Sequence, residues 1–196
     1  TDINGETRSS TEVIQIGYRA IQLEIGLAQK GPVAIDAFKG FSITSENLSD
    51  EFEPVAADIK IYPLTSPERL IRARYWEKPD QFLYTKEEYL RYFPHDEYDD
   101  ESDHHKWAKG VSIYSDTLTT SPGAAYVLSN APDKAKSKFQ PGWYVIEVTA
   151  KDRFGTDVKA VEYVELYNNK SKELSVPAYQ WNTGVMQSFE PGSQVS

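Results

Sequence analysis

Six carboxylates crowd into eight residues (Asp96, Glu97, Asp99, Asp100, Glu101 and Asp103), and the three histidines of the chain, His95, His104 and His105, flank them. Oxygen-rich clusters suit Ca²⁺, which gathers about six to eight oxygen ligands. Asp96, Asp99, Glu101 and Asp103 are the residues that would supply them. The EF-hand pattern does not fit, because the Gly it needs at its sixth position is missing in every register. A transition ion is served less well. Zinc ligands usually recur at spacings such as i, i+4, adjacent His104 and His105 would point apart on a strand or a helix, and there is no His-Glu-x-x-His. Charge runs are most often solvated faces. The expected state of residues 95–105 is therefore a solvated acidic loop, with Ca²⁺ as the alternative.

Other chemistries find little to stand on. Paired carboxylates hydrolyse glycosides at separations of about 5–10 Å, but the acidic residues here fall mostly on turns and outward strand faces, where solubility explains them. No Gly-x-Ser-x-Gly occurs, the pattern that places a serine nucleophile on a strand-to-helix turn. The chain has no cysteine, hence no disulfide, thiol nucleophile or thiolate metal site. No enzyme activity and no cofactor is expected. Trp76, Trp107, Trp143 and Trp181 could form a platform for sugar rings, although large aromatics in β-domains more often serve core or inter-domain packing. Asn47-Leu48-Ser49 and Asn169-Lys170-Ser171 match the N-glycosylation pattern and are read as chance matches. A formal charge of −9 over 196 residues argues against nucleic acid and anionic membrane, both of which want clustered Lys and Arg. No apolar run is long enough to span a bilayer.

The elements that would carry these residues are strands. The stretch from Pro141 to Tyr167 alternates twice: Tyr144, Ile146, Val148 and Ala150 share one face, then Val158, Ala160, Val164 and Leu166 do the same. Asp152-Arg153-Phe154-Gly155 lies between them, so the period of two predicts one long hairpin with Gly155 at its turn. Residues 1–18 look like the second half of another hairpin, and a phase change at Gly17 marks a domain boundary. Residues 29–40 read as a loop and Phe41–Glu46 as a strand. Asn47–Asp50 reads as a turn, and Ala57–Tyr62 as a strand ending at Pro63. Residues 64–109 break the pattern as an insertion too long for a bare loop. Within it, Ser66-Pro67-Glu68 could open a helical turn, and Thr85-x-x-Glu88 is a capping box for a helix from Lys86 to Tyr92 that must stop before Pro94. The insertion should pack Tyr75, Trp76, Phe82, Tyr89, Tyr92, Phe93 and Trp107 against the sheet. Val111–Ser115 resumes the strands, Tyr126-Val127-Leu128 is a brief apolar patch, and residues 176–196 read as extended. About seven strands in all predict an all-β fold, an antiparallel immunoglobulin-like or macroglobulin-like sandwich with a short helix in the insertion.

Three pieces of this chain resemble the alpha-2-macroglobulin family, in particular the large envelope members of Bacteroidetes. They are TDINGETRSSTEVIQIGYRAIQL at the start; ERLIRARYWEKPDQF with TKEEYLRYFPHDEYDDE in the insertion; and PGWYVIEVTAKDRFGTDVKAVEYVELYN followed by FEPGSQV. Together they cover about half of the chain. The resemblance implies that residues 1–18 are the last strand of one macroglobulin-like domain. Residues 19–168 would form the next, with insertion 64–109, and 169–196 would lead into a third. It further implies a structural scaffold within a protease-trapping protein of the cell envelope, periplasmic, outer-membrane-anchored or secreted. The partners would be neighbouring domains of the same chain and, through the whole protein, proteases. The thioester of some members sits in a Cys-Gly-Glu-Gln motif, which a chain without cysteine cannot hold, so no functional residue of the family transfers to this sequence. The competing reading is an Ig-like module of a surface adhesin that binds a glycan or protein through the aromatics of the insertion. Buried aromatics would favour the scaffold; exposed, coplanar ones would favour the module.

Overall fold

A computed structural model describes residues 20–128 and 139–178, residues 73 and 173 excepted. Two sheets, antiparallel apart from one two-residue parallel pairing, form a sandwich. The strands are β1 (Ile21–Gly26), β2 (Val33–Ala34), β3 (Gly40–Asn47), β4 (Ala56–Thr65), β5 (Ala108–Lys109), β6 (Tyr114–Thr119), β7 (Ala125–Val127), β8 (Gly142–Lys151) and β9 (Asp157–Tyr167). The smaller sheet has the order β1-β3-β7. The larger runs β2-β9-β8-β4, with β5 and β6 following one another along the free edge of β4.

Alternation builds the core. Tyr144, Ile146, Val148 and Ala150 of β8, with Val158, Ala160, Val164 and Leu166 of β9 and Ile59 and Ile61 of β4, meet Ile21, Leu23, Ile25, Phe41 and Ile43 of the smaller sheet. Burial of such side chains contributes about 1.5–3 kcal/mol each, and it fixes the register, since a one-residue slip would turn every one of them outward. The hairpin stands as the alternation predicts, from Gly142↔Leu166 to Lys151↔Asp157, and Gly155 takes a φ of 81° at the turn.

Three expectations for this frame need correction. The loop at 29–40 contains β2, which pairs in parallel with Leu166 and Tyr167 at the edge of the larger sheet; two residues are too few to leave a periodic signal. The strand expected to end at Pro63 runs on to Thr65. Pro63 sits where β6 has ended opposite Ile61 and β5 has not begun opposite Leu64. Its carbonyl accepts from Gly110 on that side, so its missing N–H falls in the gap between two edge strands and no ladder bond is lost. Ser66-Pro67-Glu68 forms no helix. The capping box, in contrast, is complete: Thr85 Oγ1 accepts from the Glu88 amide, Glu88 reaches back to the Thr85 amide, and α1 spans Lys86–Tyr92. The readings at residues 1–18, at Trp181 and at 179–196 lie outside the described residues. No described helix is long and apolar enough to cross a membrane.

Candidate functional site

Outer-face positions of the hairpin carry the insertion. Trp143, Val145 and Glu147 of β8 point away from the core, opposite Glu165, Tyr163 and Val161 of β9. Val145 nevertheless has no exposed surface, because the insertion returns over this face. A 3₁₀ turn, His104–Lys106, lays the His104 ring on Trp143 with centroids 3.7 Å apart and planes 20° apart. His105 meets the Tyr163 ring edge-on at 4.4 Å, and Trp107 donates its indole N–H to the Glu101 carbonyl at 2.8 Å.

The acidic run is not a loop of free carboxylates. Residues 69–72 and Arg74 run beside residues 94–99, bridged where the Arg72 amide donates to the His95 carbonyl at 2.7 Å. Arg69 donates to the carbonyls of Pro94 and Asp96 at 2.8 and 3.2 Å. Arg74 donates to those of Tyr98 and Asp99 at 3.1 and 2.5 Å. Glu97 is buried, accepting from the Ser102 hydroxyl at 2.6 Å, the Ser102 amide at 3.0 Å and the Arg74 amide at 3.2 Å.

The four residues considered for Ca²⁺ are not brought together. Asp96 binds the Arg72 guanidinium at 2.5 Å. Asp99 binds Lys78, whose hydrogen bond holds its carboxyl below the ordinary aspartate range. Glu101 binds Lys86 at 2.8 Å and accepts from the amides of Tyr98 and Asp99 at 3.0 and 2.7 Å. Asp103 caps the 3₁₀ turn through the His105 amide at 3.0 Å and pairs with the His105 ring at 2.7 Å. Four carboxylates thus face four different partners, which is the arrangement of a strut rather than of an ion cage. Sequence reasoning missed the partner strand, although Arg69, Arg72, Arg74, Lys78 and Lys86 stand in one basic segment just ahead of the acidic one.

Two further expectations change. His104 and His105 do not point apart: their rings lie 4.0 Å from each other, tilted by 33°, since a 3₁₀ turn docked on aromatic rings is neither a strand nor an α-helix. Asp103, His104 and His105 are, among the described residues, the one group of three donors with ligating atoms within 4.8 Å of one another. The aromatics of the insertion do not pack on the sheet as a set. Tyr75 is 92% exposed, Trp76 66% and Tyr92 62%, and Leu83 is 94% exposed. Phe82 stacks instead on Tyr98 at 4.3 Å, within the insertion.

Searches against protein families, curated proteins and solved structures returned no match for this chain.

Proposed function

We propose that the chain is a piece of a multidomain protease-trapping protein of the alpha-2-macroglobulin kind, exported to the cell envelope or secreted. Residues 19–168 are its scaffold domain, 1–18 close the preceding domain, and 169–196 lead into the following one. The domain does no chemistry of its own. The observation that carries this reading is the zipped insertion. The two insertion pieces that resemble the family form one charge-paired strut, latched by His104 and His105 to the outer face of the hairpin that carries the third piece. A domain built this way holds its shape while neighbours move, as a trap requires. Tyr75, Trp76 and Tyr92 then supply the contact to a neighbouring domain. Exposed aromatics are enriched at such contacts.

That same exposure favours the second reading, an adhesin module that binds a glycan or a protein through Tyr75 and Trp76. Digesting the intact parent protein with a broad-specificity protease separates the two. The trap predicts that the cut parent compacts on a native gel and retains the protease, and that these 196 residues alone retain none. Cleavage without retention overturns it. Glycan binding by the 196-residue chain, abolished by Trp76→Ala, would then establish the module.

A further inference from the structure

The geometry points to a divalent transition-metal site of the zinc class formed by Asp103, His104 and His105 on the outer face of the β8–β9 hairpin. One carboxylate oxygen and one nitrogen from each ring all lie within 4.8 Å of one another. A tetrahedral ion with bonds of about 2.0–2.2 Å holds its donors about 3.3–3.6 Å apart, so closing the site takes side-chain movement of at most about 1.5 Å. Two imidazoles and one carboxylate are donors of intermediate softness, which suit Zn²⁺, Ni²⁺ or Cu²⁺ rather than Ca²⁺. Water would complete the coordination.

The donors are held in place by residues that do not themselves ligate. Trp143 fixes the plane of the His104 ring and Tyr163 abuts the His105 ring. Asp103 is held by the His105 amide at the start of the turn. Supports of this kind orient ligands and sharpen affinity. Asp96, Asp99 and Glu101 are engaged with Arg72, Lys78 and Lys86, which leaves Asp103 as the carboxylate paired with a histidine.

The test is a Zn²⁺ titration of the full 196-residue chain, free of any polyhistidine tag, by calorimetry, repeated with Cu²⁺ while tryptophan emission is followed. A single saturable site is expected, with Cu²⁺ quenching of emission that shrinks in Trp143→Phe and persists in part through Trp107, whose ring lies 6.5 Å from that of His104. Losing a ligand costs more than losing a support, so His104→Ala and His105→Ala should each weaken binding by at least about 100-fold. Asp99→Asn should leave it unchanged. Because alanine at 104 also removes the ring stack, His104→Phe is the deciding variant: it keeps a ring on Trp143 but offers no donor, and it should bind no better than His104→Ala. A flat Zn²⁺ titration at millimolar ion, or binding that survives in His104→Phe or His105→Ala, would overturn the assignment.

Discussion

Asp152 reaches back across 132 positions of sequence to accept the backbone N–H of Ala20 at 3.0 Å. Its other oxygen accepts from the amides of Phe154 and Thr156 at 2.9 and 2.8 Å, inside its own turn. One carboxylate therefore shapes the β8–β9 reversal and ties it to the residue before β1. These donors, the Ala20 amide foremost, hold the carboxyl below the ordinary aspartate range. A depressed folded pKa stabilises fully above the ordinary value, and the stabilisation is lost as pH falls through that range toward the folded value. Asp152→Asn puts a donor where an amide already donates. It should lower the thermal midpoint at neutral pH, with the gap to the parent closing below about pH 4. Melts followed by far-UV circular dichroism across that range check this; a gap of constant size would show that the ionised carboxylate is not the cause.

Glu97 makes the insertion a structural unit rather than a string of turns. It is buried and joins the Arg74 amide to the amide and hydroxyl of Ser102. Glu97→Ala leaves three part-buried donors without this acceptor, at a cost near the lower end of about 1–3 kcal/mol. Since the insertion lies outside the two-sheet core, the loss should be local. Amide exchange across 72–107 should accelerate well before that of β8 and β9. Uniform acceleration through β8 would mean that insertion and sandwich unfold together.

The parts legible in the sequence were those fixed by near neighbours. Alternation at Tyr144, Ile146, Val148 and Ala150 gave away the hairpin, and Thr85 with Glu88 gave away α1, because each signal spans a few residues. Partnerships over some twenty residues left no such mark. Arg72 and Asp96 sit 24 positions apart, and nothing in the acidic run says that its charges meet the basic segment rather than water. His104 and His105 misled for a related reason: their ring directions are set by Trp143 and Tyr163, on strands far along the chain. Tyr75 and Trp76 misled because an aromatic residue type does not state which way it faces. Pro63 was read from its missing N–H, which matters only where a partner strand would need it.

Tyr114, Tyr126 and Tyr144 should resist ionisation. Burial raises all three phenols above the ordinary tyrosine range, and Tyr126 is raised further as its hydroxyl donates to Asp116. A raised pKa in the folded state stabilises fully below the ordinary tyrosine value, and that contribution is lost as pH climbs past it. Absorbance at the tyrosinate band should therefore rise in more than one stage. A late group should ionise only as the fold opens. Tyr126→Phe should shrink that late group by one phenol. A single titration step with no late group would contradict the burial.

Gly40 shows how closely β3 and β7 approach. A Cβ built there would lie 1.9 Å from the Tyr126 carbonyl oxygen and 3.2 Å from the Val127 Cα, both backbone atoms that cannot rotate aside. Gly40 stands opposite Val127 in the pairing, and next to it the Leu128 amide donates to the Lys39 carbonyl at 2.8 Å, with the Leu128 side chain fully buried. Gly40→Ala must separate the strands and lift Leu128 out of the core, costing about 1–3 kcal/mol, as overpacking does. Gly26→Ala is the control on the same sheet. Its new Cβ meets the Ser42 hydroxyl at 2.4 Å, the end of a side chain that can turn away at the loss of one bond to the Gly26 carbonyl. Denaturant unfolding should rank Gly40→Ala as clearly the more damaging, with exchange at Tyr126–Leu128 accelerated only in that variant. Equal damage from both would mean that β7 is not held against β3 at this distance.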